Sequence, residues 1–331
     1  MKKLLLTTTA FAMTAGVAAA DVALSGDARM GLQYDGNDVS FTSRARVTFT
    51  LSGQTDGGLA FGGSFRADNA GAAARGTAGS VFVESDFGKL SMGDVAGAAR
   101  AAVGDLHGVG LTGLGDLNEM AYIDRALGDI SQAFDAIAAL ADIPVFGVLP
   151  RAQYSYSIDG FSVFASVDNP VMIRDADDNK EFSVRNVAIG ASYSAEGFTV
   201  AAGYEDARIK DHDASETITA RHLIASAQYD FDGFSVKGIA GRVSGDLGDA
   251  LKDTSGLRRD QYGLSVSGTF DATTVSAFGH RNFATTDYGI GISHDLGGGA
   301  RIVGGIVQSG KNSTLEIKSN TTADLGLSFS F

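Results

Sequence analysis

Four arginines recur at positions that share a face with other polar residues: Arg29, Arg44, Arg46 and Arg66. Guanidinium groups stay charged at any physiological pH, so they are fixed cations and poor proton-transfer groups. The long polar stretch 94–151 carries the opposite sign, with Asp94, Asp105, Asp116, Glu119, Asp124 and Asp129. Fixed charges of both signs can orient ions and dipolar solutes. They do not by themselves supply a nucleophile and base.

Other arrangements that could do chemistry are weak. "GVGLTG" at 108–113 spaces Gly108, Gly110 and Gly113 as a dinucleotide fingerprint would, but it follows no apolar strand and opens no clear helix. "DADDNKE" at 175–181 spaces Asp175, Asp177, Asn179 and Glu181 suggestively, yet Lys180 and Asn186 stand where a calcium loop needs glycine and glutamate. Loose divalent-cation binding on an external loop stays open. His107, His212, His222, His280 and His294 lack zinc-ligand spacing, and neither G-x-S-x-G nor a P-loop occurs. A Ser/His/Asp set assembled from distant residues would leave no local motif. No cofactor is expected.

The elements that hold the arginines are extended. In "DVALSGDARMGLQYDG" (21–36), Val22, Leu24, Ala28, Met30, Leu32 and Tyr34 alternate with Ser25, Asp27, Arg29 and Gln33. Residues 39–52 set Val39, Phe41, Val47, Phe49 and Leu51 against Arg44, Arg46 and Thr48, and 59–68 set Leu59, Phe61 and Phe65 against Ser64, Arg66 and Asp68. A period of two marks strands with two unlike faces. The pattern recurs to Phe331, weakest at 80–85 and 89–93. Short Asp/Gly turns at 54–58, 86–88, 158–160, 195–197, 230–233, 270–273 and 295–299 alternate with polar connections near 35–38, 69–79, 94–151, 168–186, 205–221, 242–260, 281–286 and 308–322. Seven short turns and eight longer connections separate sixteen strands and put both ends of the set on one side.

Composition narrows the class. The chain has 331 residues, with 44 glycines, 3 prolines and no cysteine or tryptophan. Interior glycine weakens a helix by ~0.5–1 kcal/mol, which disfavours a helical protein. The opening "MKKLLLTTTAFAMTAGVAAA" has Lys2 and Lys3, an apolar stretch and a small-residue end at Ala18–Ala20, which reads as a secretory signal peptide over 1–20. Without Lys2 and Lys3, 24 basic residues face 39 acidic ones, a net of −15 that argues against a nucleic-acid partner. No other run approaches the ~20 apolar residues of a membrane helix. Strands need an apolar residue only at every second position.

A sandwich also alternates. Here aromatics gather beside turns, among them Tyr34, Phe161, Tyr193, Phe198, Tyr229, Phe234, Tyr262 and Phe270. That distribution suits the two interfaces of a bilayer. The expected fold is all-β, a sixteen-stranded antiparallel transmembrane β-barrel over 21–331. Sixteen strands enclose an aqueous lumen. Facing lipid, each arginine would cost up to ~2–4 kcal/mol at mid-depth, so the polar face belongs inside.

"LSGDARMG" (24–31), "SRARVTFT" (43–50), "FGKLSMGD" (87–94), "HDLGGGARIVGGI" (294–306) and "ADLGLSFSF" (323–331) resemble the general diffusion porins of Gram-negative outer membranes, the Rhodobacter-type alpha-proteobacterial porin above all. The resemblance implies a homotrimer in the outer membrane that passes small hydrophilic solutes and ions passively, with lipopolysaccharide as neighbour. It implies that the third long loop, about 94–151, folds inward as a constriction. It further implies that Arg29, Arg44, Arg46 and Arg66 face Asp94, Asp105, Asp116, Glu119 and Asp124 there. The terminal Phe331, with Phe329, Leu327 and Leu325, resembles the signal read by barrel-assembly machinery. Leu127, Ile130, Phe134, Ile137 and Ala141 have helical spacing, which predicts an amphipathic helix near 125–142. A substrate-specific channel, a barrel enzyme and a soluble glycine-rich adhesin are the rival readings.

Overall fold

The structure, a computed structural model, describes residues 21–68, 79–123, 151–169, 171–174, 181–212 and 217–331. The signal-peptide segment 1–20, the helix expected near 125–142, Asp124, Asp129 and most of the 175–181 stretch lie outside the described residues.

The chain forms β1 (Asp21–Tyr34), β2 (Val39–Gln54), β3 (Ala60–Asp68), β4 (Ser80–Ser85), β5 (Gly88–Gly93) and helix α1 (Ala98–Val103). Then come β6 (Arg151–Ile158), β7 (Phe161–Asp168), β8 (Val171–Arg174), β9 (Glu181–Ala195), β10 (Phe198–Asp211), β11 (Thr217–Phe231) and β12 (Phe234–Ser244). Helix α2 (Asp246–Asp253), β13 (Asp260–Phe270), β14 (Thr273–Arg281), β15 (Thr286–Gly297), β16 (Ala300–Ser309) and β17 (Asn320–Ser330) complete it. β7 and β8 both pair with β9, one after the other along its length, so together they make one stave. The wall is therefore a closed sixteen-stave antiparallel barrel, as the alternation implies.

Closure joins β1 to β17 from Asp27↔Ser330 to Tyr34↔Ala323. Gly26 and Phe331 exchange backbone hydrogen bonds of 3.2 and 2.9 Å, sealing the seam at the last residue. A closed ladder leaves no edge in lipid, where each unpaired backbone group would cost several kcal/mol. The hairpin turns have the expected chemistry: Asp159-Gly160, Glu196-Gly197 and Asp232-Gly233 each place two successive residues at positive φ. That is the twist of a two-residue turn matched to its strands.

The apolar parity set faces out. Phe41 is 91% exposed and Leu24 65%, and Leu264, Ile189 and Leu325 are similarly bare. Some strands run beyond the ends that their alternation predicts. β10 runs to Asp211 and β11 starts at Thr217, so most of the connection expected at 205–221 is ladder. β9 likewise starts at Glu181, inside the connection expected at 168–186. Above the lipid both faces meet water or protein, so backbone pairing continues without apolar alternation. The connection at 35–38 is a tight turn in which Asp35 Oδ1 accepts the Asn37 and Asp38 N–H groups at 2.8 and 2.9 Å.

Buried apolar side chains lie inside the cylinder. One cluster joins Ala99, Val103, Leu106, Val109, Leu114, Met120 and Tyr122 of the 94–123 segment to Ile224, Ile239, Phe278 and Val307 of the wall. Another packs α2 and its neighbours, Leu247, Leu251, Leu257 and Phe283, against Val184, Ile209 and Val243. The i, i+4 spacing of Leu247 and Leu251 was the local signal for α2.

Candidate functional site: a charged constriction in the lumen

Segment 94–123 enters the lumen and lies on the inner wall. The Arg151 guanidinium donates to the Val95 carbonyl at 2.6 Å and Gln153 to that of Ala96 at 2.7 Å. Arg151 is buried and ion-paired with Asp168. The Ala98 N–H donates to the Ser166 hydroxyl at 2.9 Å, and Lys237 Nζ donates to the Val103 carbonyl at 2.7 Å, where α1 ends. Further along, the His107 N–H donates to Ser265 Oγ at 3.0 Å. Asp324 on β17 accepts from the Leu111 and Thr112 N–H groups at 2.9 and 2.6 Å. There, at β1, the segment turns back.

The return leg is tied on the side nearer the long loops. His280 Nδ1 lies 3.1 Å from the Leu117 carbonyl. Gln261 accepts from the Ala121 N–H at 2.9 Å and donates to its carbonyl at 2.7 Å. Glu205 Oε2 accepts the Ile123 N–H at 3.1 Å and lies 2.8 Å from His222 Nδ1. Gln261 Nε2 also lies 2.9 Å from His222 Nε2. An amide nitrogen only donates, so His222 accepts through Nε2 and carries its proton on Nδ1, toward Glu205. The two legs are stitched by Asn118 to the Leu106 carbonyl at 2.9 Å and by Tyr122 to that of Gly104 at 2.6 Å.

Glycine makes this seat. A methyl group built on Gly203 would stand 2.6 Å from the Ala99 Cα, and one on Gly263 2.4 Å from a Leu106 methyl. On Gly291 it would meet the Val109 Cβ at 2.8 Å, on Gly305 the Gly110 backbone at 2.8 Å, and on Gly326 a Leu111 methyl at 2.7 Å. The inward glycines of β10, β13, β15, β16 and β17 form a trough. The "GVGLTG" stretch lies in it, with Gly110 at φ +84° against Asp324 and Leu114. Its spacing is explained by close approach to the wall.

The four sequence-predicted arginines lie on the inner faces of β1, β2 and β3. Arg29 donates to the Leu111 carbonyl at 3.4 Å, touching the turning point of the inward segment. Arg44 pairs with Asp27 at 2.9 Å. Arg46 and Arg66 share Asp68, at 3.1 and 2.7 Å. The alternation puts Asp27 and Asp68 on the polar face without marking them as site residues; the Arg66–Asp68 spacing of two, which keeps both on one face, is the available signal.

The inward carboxylates behave unequally. Asp105 and Glu119 pair with Arg100 on α1 at 3.0 and 3.5 Å, a cation that sequence analysis missed. Asp105 also accepts the Met120 N–H at 2.9 Å. Asp116 sits in a turn at φ +53°. Asp94 follows β5 directly, its N–H donating to the Gly79 carbonyl at 2.8 Å. Counted formally, four wall arginines face Asp27 and Asp68, a surplus of two positive charges. Segment 94–123 holds Arg100 among four carboxylates, a surplus of three negative ones.

A sixteen-stave barrel with an apolar exterior, a charged lumen and an inward-folded segment defines a transmembrane diffusion channel. The comparisons agree. The Gram-negative porin family matches residues 7–315. The porin of Rhodobacter capsulatus is 37% identical over 330 residues, covering 94% of this chain and all of that protein. The porin of Fuscovulum blasticum is 29% identical over the same share. A solved porin structure superposes with a TM-score of 0.72 at 35% identity, covering 94% of this chain and all of the other. This chain belongs to the Gram-negative porin family. It is an outer-membrane β-barrel that lets small hydrophilic solutes and ions diffuse through a water-filled passage.

Proposed function

We propose that the passage sieves by charge as well as by width, with the arginines of β1–β3 as one electrode and the inward segment as the other. The observation that carries this reading is the segregation of sign: a cationic surplus on three adjacent strands and an anionic surplus on segment 94–123. Arg29, Arg44, Arg46 and Arg66 form the cationic side. Asp94, Asp105, Asp116 and Glu119 form the anionic side, with Asp105 and Glu119 tempered by Arg100. A screening length of ~8 Å at physiological salt is comparable with a constriction, so a transverse field survives there. It orients dipolar solutes and hinders apolar ones, which cannot replace the ordered water. The driving force is the concentration gradient, with no catalytic step. In this reading the channel is a homotrimer, residues 1–20 are removed on export, Phe331 is read during barrel assembly, and lipopolysaccharide surrounds the outer half.

Salt-gradient reversal potentials test the field. Replacing both Arg44 and Arg46 by alanine should raise the cation-to-anion permeability ratio about threefold, as expected when two fixed charges leave a narrow path. An unchanged ratio in the doubly substituted channel would overturn the electrode assignment.

A further inference from the structure

Above the apolar band, the outer surface from β9 to β14 carries a row of guanidinium groups. Side chains two residues apart share a face, so Arg185 lies outward with Ile189, Arg208 with Tyr204 and Arg221 with Leu223. Arg242 lies outward with Ala240, and Arg281 with Gly279. The register sets them side by side: Arg208 is opposite Arg185, Asp206 opposite Arg221, Asp260 opposite Arg242 and Tyr262 opposite Arg281. Among the described residues, five arginines, with Lys210 beside them, share this face with Asp206 and Asp260, and Asp246, which accepts from the Thr219 N–H and hydroxyl at 2.8 Å and lies near Arg221, borders it.

Those carboxylates are already committed. Asp206 is divided between Arg208 at 3.0 Å and Arg221 at 3.4 Å, and Asp260 holds Arg242. The Arg208, Arg221 and Arg242 side chains nevertheless stay 59%, 47% and 58% exposed. Arg281 donates through Nη1 to Thr286 Oγ1 at 2.9 Å, while its Nε is shielded from solvent without a hydrogen-bond partner among the described residues. Like charges directly opposite across a strand pair repel, so Arg185 and Arg208 are a cost that a bound anion would relieve. In a chain of net charge −13 this cationic surplus is local. At the matching level on β15, β16, β17 and β1 the described outward residues are uncharged: Thr286 and Tyr288, Gln308, Thr321 and Tyr34.

Directly beneath the row the surface is apolar, with Ile189, Tyr204, Leu223 and Leu264 exposed. A ligand that fits both levels has acyl chains below and phosphates above. We propose that the outer face of β9–β14 is a binding site for the phosphate groups of a lipopolysaccharide-type lipid, held by Arg185, Arg208, Arg221, Arg242 and Arg281. Guanidinium forks bind phosphate through paired hydrogen bonds. The inference rests on the reading that lipopolysaccharide is the external partner, and it assigns that partner a place.

The test uses full-length protein in detergent, with bisphosphorylated lipid A as probe. Dephosphorylated lipid A and inorganic phosphate are the comparison arms, and native mass spectrometry counts bound lipid. The wild type should prefer the phosphorylated lipid. Arg185→Gln, Arg208→Gln, Arg221→Gln and Arg242→Gln combined should weaken its apparent affinity by about tenfold or more, with conductance unchanged. Arg221→Gln alone should give a smaller loss and covers the case in which the fourfold variant does not fold. Equal binding by wild type and folded variants would overturn the site while leaving the lipopolysaccharide reading standing. No preference for phosphorylated lipid in the wild type would remove that reading too. Displacement of lipid by millimolar inorganic phosphate would overturn the lipid as the source of the anion.

Discussion

At the scale of single residues, the lumen is organised by polar side chains that hold backbone. Asp324, Gln261, Glu205 and Ser265 each satisfy a buried N–H or carbonyl of the inward segment, groups that would otherwise cost ~1–3 kcal/mol apiece. His107 adds a pH dependence. Its Nδ1 lies 2.7 Å from Ser265 Oγ, and burial together with the nearby Lys237 ammonium holds its pKa below the usual 6.5, with Asp230 pulling the other way. The uncharged ring is therefore the one the folded channel favours. Its contribution to loop seating is complete above about pH 6.5 and is lost as pH falls through the lowered value. Open-channel current noise should grow as the bath is taken from pH 7 to 5. His107→Gln should flatten the part of that rise set by this ring, and a variant with the full wild-type rise would refute the role.

At the scale of elements, strand and loop are fitted to each other by glycine. The outward half of each strand is set by lipid, and the inward half of β10, β13, β15, β16 and β17 is hollowed where the inward segment runs. Gly203→Val should push α1 off the wall, because even the first added carbon falls 2.6 Å from the Ala99 Cα. Overpacking of this kind costs ~1–3 kcal/mol. The expected result is a lower unfolding temperature and a changed, noisier conductance in a barrel that still assembles. Gly279→Ala, with nothing within 4 Å of the added carbon, should change neither. Identical melting and conductance for Gly203→Val would show that the seat is loose. The alternation in sequence made sixteen strands and their turns legible. It did not reveal α1, whose six residues are too few to display a period.

At the scale of the whole molecule, the outer surface is divided. The β9–β14 face is bordered by cations. The face formed by β1 and β2 is apolar and uncharged along the outward set, with Val22, Leu24, Val39 and Phe41 bare. Lipid covers either kind of apolar face, whereas a protein neighbour is best accommodated where no charge must be desolvated. The homotrimer reading assigns the β1–β2 face to that contact. Native mass spectrometry of the detergent-solubilised channel should find three copies. A single copy at every gentle activation energy would remove the trimer, and Phe41→Asp should shift three copies toward one.

The odd-even distribution of apolar and polar side chains determined that this chain is a barrel and which side chains meet lipid. It therefore also put Arg29, Arg44, Arg46 and Arg66 on the inward face of β1, β2 and β3. A period of two is a local property, enforced separately on every strand by the bilayer, so it can be read one segment at a time. The route of segment 94–123, the sharing of Asp68 by two arginines and the use of His107, His222 and His280 as loop anchors were decided only by the closed tertiary structure. These contacts join residues up to 213 positions apart, as between Leu111 and Asp324. Alternation says which side of the wall a residue faces, and the register of the closed barrel says which residue it meets there.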